Sequence, residues 1–182
     1  MNHEAKLVRP TETLQDAYLE FVEEFRTAGE KERIDGSGCD FDGDFAAHVQ
    51  RLRDYAQGIN VPANWVAASA YWFVRNKRIL GVCDLRHKLT EALRDYGGHV
   101  GYSVRPSERG KGYGTEILRL ALEKAQALGI DRVLVTCGKG NIASQRVILK
   151  NGGVLDSESH SELAGQIMQR YWIDLSQEGL GE

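Results

Sequence analysis

Between Arg105 and Thr115 the chain reads Arg-Pro-Ser-Glu-Arg-Gly-Lys-Gly-Tyr-Gly-Thr, which places three glycines within five positions. Upstream, residues 97–104 (Gly-Gly-His-Val-Gly-Tyr-Ser-Val) are β-rich and apolar. Downstream, Gly114, Leu118, Ala121, Ala125 and Leu128 recur at helical spacing until Gly129 supplies a stop. The pattern predicts a strand over 97–104, a glycine turn, and a helix over about 115–128. Such a turn bares consecutive backbone N–H groups without Cβ obstruction. The helix behind it adds unpaired donors and the positive end of its dipole, so an anion, and phosphate above all, is favoured there.

Two phosphate motifs fail on the residues. A Walker loop needs glycine five positions before Gly110, where Arg105 stands, and Ser or Thr after Lys111, where Gly112 stands. A dinucleotide fingerprint opening at Gly110 needs glycine at position 115, which is Thr115. What fits is Arg109-x-x-Gly112-x-Gly114, and on it the chain resembles the GCN5-related N-acetyltransferase (GNAT) superfamily, whose acetyl-CoA motif reads Gln/Arg-x-x-Gly-x-Gly/Ala. The context supports the likeness through about residues 66–174: the strand ending at Val104, the helix from about Thr115, the strand Val133–Cys137, then Asn141-Ile-Ala-Ser144 and Lys150-Asn-Gly152.

The resemblance implies a mixed α/β fold. Its central twisted sheet would be mostly antiparallel, with six or seven strands splayed at an acetyl-CoA cleft and helices on both faces. It implies acetyl-CoA as co-substrate and a primary amine of a small molecule or protein as acceptor. Tyr102, Val104, Arg109, Gly110, Lys111, Gly112, Tyr113, Gly114, Thr115, Asn141 and Ser144 are the cofactor-binding candidates it implies. Tyr113, between two motif glycines, is expected to be a surface ring over the loop. A homodimer is a common arrangement in such a family. The pattern also departs from the family at one point. A tyrosine seven residues after the asparagine often serves as the acid for the leaving thiol, and here that position is Ile148. The departure leaves two readings: an active enzyme using another hydroxyl or water, or a catalytically silent acyl-CoA-binding regulatory domain.

At 182 residues, 42% hydrophobic and 27% charged, the chain suits one globular domain, expected over 1–175 with a tail at 176–182. A net charge of −3 supplies no general basic field, so neither nucleic acid nor an acidic membrane is an expected partner. No apolar run approaches a membrane span and Met1–Lys6 lacks a signal-peptide core, so a cytoplasmic protein is expected. Cys39, Cys83 and Cys137 are odd in number and far apart, against a disulfide framework or a CxxC site. No metal is expected: a calcium hand loop opening at Asp40 needs glycine and glutamate where Phe45 and Arg51 stand.

Elsewhere the periods predict a strand over 5–9, a helix from about residue 14 to Gly29, a glycine- and aspartate-rich loop over 34–44, and a second helix ending at Gly58. A hairpin of 70–74 with 79–85 turns near Asn76-Lys77, and 86–96 reads as a loop with one helical turn. A strand over 132–137, a helix over 142–151 and strands near 154–159 and 167–173 complete the order. Asn141 is a strong N-cap as well as a cofactor candidate. For the base, His99 on the strand leading to the glycine loop is the first choice and His87 the second, because imidazole titrates near neutrality. His3, His48 and His160 lack motif context. Asp35, Asp40, Asp42 and Asp44 would suit a cationic amine.

Overall fold

The computed structural model describes residues 4–30 and 43–176. Thr11 caps a 3-10 turn (Glu12–Leu14) that leads into helix α1 (Gln15–Thr27) after a short strand β1 (Lys6–Val8). Tyr18, Phe21 and Phe25 fall on one face of α1 and are buried, as their three- and four-residue spacing requires. Helix α2 (Phe45–Ala56) buries Phe45, Val49 and Leu52 in the same way. Its N-cap is Asp44, whose carboxylate accepts from the Ala47 amide at 3.0 Å, so this aspartate terminates a helix. Asp35, Asp40 and Asp42, like Cys39 and His3, lie outside the described residues.

Strands β2 (Ala68–Arg75) and β3 (Arg78–Arg86) form the expected hairpin. Asn76 and Lys77 both take left-handed φ values, 51° and 62°, the pattern of a two-residue turn matched to strand twist. Thr90 caps a short helix α3 (Glu91–Asp95), and strand β4 (Val100–Val104) follows. This strand was expected from residue 97. Gly97 and Gly98, at φ 114° and 63°, take the chain out of extended geometry and delay it. Helix α4 (Tyr113–Ala127) starts two residues earlier than its apolar period suggested. Strand β5 (Arg132–Gly138), helix α5 (Ile142–Lys150) and strands β6 (Val154–Ser161) and β7 (Gln166–Asp174) complete the chain.

Among the described residues all seven strands pair antiparallel, but the expected single sheet is hydrogen-bonded as two, β1-β2-β3-β4 and β5-β7-β6. Each face of the first sheet carries its own core. Tyr18, Phe21 and Phe25 of α1, with Phe45 and Val49 of α2, cover Trp72, Ile79 and Val82. Ile117, Leu118, Ala121 and Ala125 of α4 pack with Tyr71, Phe73, Cys83 and Leu85, and this cluster runs on through Val133, Val135 and Ile173 of the second sheet. One hydrophobic mass therefore ties the two sheets together behind α4.

In front, they touch at the residues just before β4. The His99 amide donates to the Leu134 carbonyl at 2.7 Å, and the Leu134 amide donates back to His99 Nδ1 at 2.9 Å. Beside this exchange the Gly97 amide donates to Thr136 Oγ1 at 2.9 Å. A Cβ on Gly98 would stand 2.5 Å from the Leu134 carbonyl oxygen. Beyond this junction β4 pairs only with β3 and β5 only with β7, so the sheets diverge toward the glycine loop.

Gly98 combines a left-handed φ with contact that excludes any side chain. Gly98→Ala is expected to destabilise the fold by about 2–3 kcal/mol, lowering Tm by roughly 5–10 °C for a chain of this size. An unchanged melting curve would mean the sheets do not need this approach.

Candidate acetyl-donor cleft and active site

The glycine loop begins on a buried arginine. Arg105, 3% exposed, donates through Nε to Glu24 of α1 at 2.6 Å and through Nη1 to the Ile79 carbonyl at 3.1 Å. Glu24 also accepts from the Ser107 amide at 2.7 Å. Burial pushes the Glu24 carboxyl up, but the bonds from Ser107 and Arg105 outweigh it and hold the group at about 2. One carboxylate from α1 thus fixes the 3-10 turn Pro106–Glu108 that aims the loop.

Gly110 and Gly112 follow at φ 76° and 85°, and a Cβ on either would meet open space. Gly112 is the N-cap of α4 and makes no side-chain cap bond, which leaves the first amides of a fifteen-residue helix to a ligand or to water. Gly114 has a different task. A Cβ there would stand 3.2 Å from Val147 Cγ2 and 3.5 Å from Tyr102 Cε2, so α4 lies close against α5 and β4. Thr115, in the first turn of α4, also faces the cleft and gives its carbonyl to Asn151 Nδ2 at 3.2 Å.

A cleft of about 970 Å³, at the upper end of cofactor sites, lies beside β4, walled by the glycine loop, the start of α4 and α5. Of the cofactor candidates, Tyr102, Val104, Arg109, Gly110, Gly112, Tyr113, Gly114, Thr115, Asn141 and Ser144 line it. Lys111 does not; it pairs with Glu108 at 2.8 Å. Tyr113 is not the surface ring expected. It is half-buried, tilted against Phe73 with 5.8 Å between centroids and lying under the Arg75 guanidinium. Asn141 caps α5, accepting from the Ser144 amide at 3.0 Å. Arg146 and Lys150 also line the cleft. Sequence reading missed them, although their spacing of four on the helix behind Asn141 already put them on one face.

Arg109 makes a bidentate pair with Glu30 at 2.8 and 2.7 Å and donates through Nε to the Val104 carbonyl at 3.2 Å. Both partners are nearly half exposed, at 46% and 47%, so the pair contributes about 1 kcal/mol at most. It steers the guanidinium while leaving it open to solvent.

Inside the cleft the Tyr102 hydroxyl and Ser144 Oγ lie 3.0 Å apart, a pair spanning β4 and α5. Burial pushes the Tyr102 phenol up to about 12, so it keeps its proton at neutral pH. Ile148, where the family's usual acid would stand, is fully buried in the core against α4. That side chain therefore points away from the cleft.

Neither histidine proposed as base lines the cleft. His99 is 7% exposed, with its ring edge-on to Trp172. Nδ1 accepts the Leu134 amide, which leaves the neutral ring its proton on Nε2 and no nitrogen with which to take another. Burial, reinforced by the charges of Arg94 and Arg86, lowers its pKa to about 4. The sequence reading put His99 inside the strand, whereas β4 begins at Val100, and with Nδ1 accepting from the Leu134 amide the ring has no nitrogen open to act as a base. His87 is half-buried at the far end of β3, with Nε2 2.8 Å from Ser69 Oγ. Burial and then Arg9 lower its pKa as well. His48 is buried among Tyr18 and Phe45, and His160 is exposed beside Glu162. Cys83 and Cys137 are buried free thiols that burial pushes up, Cys137 to about 11. Among the described residues no group of three or more His, Cys, Asp or Glu side chains is arranged to hold a metal ion, and no helix is long and apolar enough to cross a membrane.

The family model described as an acetyltransferase (GNAT) domain matches residues 9–154. The chain belongs to the GNAT acetyltransferase family. Acetyl-CoA is accordingly its acyl donor, and the chain is an acyltransferase. Solved structures share the fold at low identity. The microcin C7 self-immunity acetyltransferase MccE, in complex with acetyl-CoA and AMP, is 17% identical, with a TM-score of 0.67 over 95% of this chain and 93% of that one. RimL, a ribosomal-protein α-N-acetyltransferase in complex with coenzyme A, is 17% identical, with a TM-score of 0.68 over 96% of each chain. The structure of yncA from Salmonella typhimurium, with its cofactor acetyl-CoA, is 14% identical, with a TM-score of 0.62 over 99% of each. No curated protein sequence matches this acetyltransferase significantly.

His99 gives the acetyltransferase an acid limit. Because its folded pKa, about 4, lies below the ordinary 6.5, the unfolded chain binds more protons in the interval between them. Stability is therefore complete above about pH 6.5 and falls as the pH drops toward 4, by up to about 3 kcal/mol. His87 adds a smaller slope of the same sign, whereas Glu24 acts only below about 4.5. Denaturant titrations of His99→Gln between pH 7 and pH 4 should show a shallower slope than the wild type. Equal slopes would show that His99 titrates freely.

Proposed function

We propose that the chain moves an acetyl group from acetyl-CoA to a primary amine of a small molecule or protein. The observation that carries this reading is the joining of two features in one cleft: the uncapped amides at the start of α4 and the Tyr102–Ser144 hydroxyl pair.

The amides of residues 112–115 and the helix dipole suit the pyrophosphate, with Arg109 turning from Glu30 toward the same charge. Arg146 and Lys150 offer further cations along the cleft wall. The donor supplies an activated thioester. The protein's task is to hold it still against β4, with the backbone around Val104 available to the carbonyl oxygen, and to steady the sulfur as it gains charge. A tyrosine that keeps its proton at neutral pH can donate a hydrogen bond to that sulfur, and Ser144 links the phenol to α5. This hydroxyl pair supplies what position 148 does not. The ground for a catalytically silent reading falls with it, because Ile148 belongs to the core and not to the site.

Two measurements test the proposal. Gly112→Asp places a carboxylate where the pyrophosphate meets the loop, and it should abolish the thermal shift produced by coenzyme A. The double variant Tyr102→Phe with Ser144→Ala should bind coenzyme A within a few-fold of wild type while losing about 10²-fold in thiol release. Unimpaired coenzyme A binding in folded Gly112→Asp would displace the cofactor from this loop. Unimpaired turnover in the double variant would leave the thiolate to water.

A further inference from the structure

The C-terminal end of α1 forms one lip of the donor cleft, where Phe25, Gly29 and Glu30 line it. Gly29 takes a left-handed φ of 75° just after the cap residue Ala28. Its amide donates to the Arg26 carbonyl at 3.1 Å, and the Glu30 amide donates to the Phe25 carbonyl at 3.0 Å. Together these bonds close the left-handed glycine cap of a helix, so the turn itself fixes the backbone of Glu30 beside the glycine loop.

A carboxylate is poorly placed there on local grounds, because the last carbonyls of a helix carry its negative pole and disfavour an acid beside them. What holds Glu30 is Arg109, whose Nη1 and Nη2 donate to its two oxygens at 2.8 and 2.7 Å. Those bonds lower the Glu30 pKa, so the side chain is an anion at neutral pH. Arg109 is anchored without Glu30 as well. Its Nε donates to the Val104 carbonyl at 3.2 Å, and its guanidinium lies over the Phe25 ring, 5.6 Å from the centroid. With these contacts kept, both Nη nitrogens stay at the cleft for whichever anion takes them. A guanidinium fork pairs with carboxylate and with phosphate in the same two-pronged geometry. In the free protein, Glu30 thus occupies the part of Arg109 that suits a phosphate.

We propose that Glu30 is an internal competitor for Arg109, displaced when acetyl-CoA or coenzyme A binds and restored when coenzyme A leaves. The proposal rests on the pyrophosphate lying at the glycine loop, and it adds a residue that sets donor affinity and product release. Acetyl-CoA enters and coenzyme A departs with the same phosphates, so tight phosphate binding holds product as firmly as substrate and does nothing for the chemical step. Product release is a common limit on turnover. An anion tethered on α1 weakens both complexes by the same factor and takes Arg109 back as the product departs. Because both side chains of the pair are nearly half exposed, that factor is modest, about three- to fivefold.

The test is a double-mutant cycle on the full chain, with coenzyme A affinity measured by calorimetry for the wild type, Glu30→Gln, Arg109→Gln and the double variant. Glu30→Gln should lower Kd about three- to fivefold and slow coenzyme A release, read by stopped-flow displacement, by a similar factor. In the Arg109→Gln background the same replacement should change Kd by less than about twofold, since no cation is left to compete for and exposed like charges are screened. An unchanged Kd in Glu30→Gln would overturn the proposal. Equal tightening with and without Arg109 would overturn it too, reducing Glu30 to a general repulsive charge. Gly112→Asp keeps this proposal apart from the reading beneath it. If that variant still binds coenzyme A, the pyrophosphate does not lie at the loop and the proposal loses its basis; if it does not bind while Glu30→Gln is silent, the role of Glu30 alone falls.

Discussion

The structure depends on a pair of hydrogen bonds that joins two sheets at one point and nowhere further along. His99 gives its amide to the Leu134 carbonyl and takes the Leu134 amide on its ring. Because a side-chain nitrogen replaces a backbone carbonyl in this exchange, the ladder stops there and does not propagate. The apolar mass that runs behind α4 ties the two sheets together without continuing the ladder. A cleft between two strands of one domain is otherwise costly, since it exposes edge N–H and C=O groups. Here the β4 edge faces a cavity of cofactor size.

Charge then orients what the junction opens. Arg105 is almost wholly buried and is stable only because Glu24 reaches it from α1; an unpaired charge at that depth would cost several kcal/mol. The pair fixes the entry to the glycine loop, and the loop hands its free amides to the mouth of the cleft. The outer pair, Arg109 with Glu30, has the same chemistry at about half exposure and so remains exchangeable. Two ion pairs a few residues apart thus act differently because water reaches one and not the other.

Much of this was legible in the chain. The glycine spacing at 110, 112 and 114, flanked by a β-rich stretch and a helical period, located the cleft and most of its lining. The Asn76-Lys77 turn and the periods of α1, α2 and α4 located both cores. Boundaries slipped where glycine conformation intervened, as at Gly97 and Gly98, whose positive φ removes three residues from the expected strand. Lys111 and Tyr113 sit otherwise than expected because the loop's curvature decides which side chains point in: Lys111 pairs with Glu108 three residues back, and Tyr113 meets Phe73 of β2.

The sequence by itself determined the order of elements, the glycine loop and the family, since each rests on local spacing and on backbone freedom that glycine alone supplies. Only the tertiary structure decided the chemistry of the side chains. Whether His99 is a base depends on which group meets its Nδ1, and that group, the Leu134 amide, is thirty-five residues away. Whether Ile148 signals a lost acid depends on the face of α5 it occupies, and whether a substitute exists depends on Tyr102 and Ser144 meeting across forty-two residues. Protonation and hydrogen-bond state follow from burial and partners, and partners distant in the chain are chosen by packing.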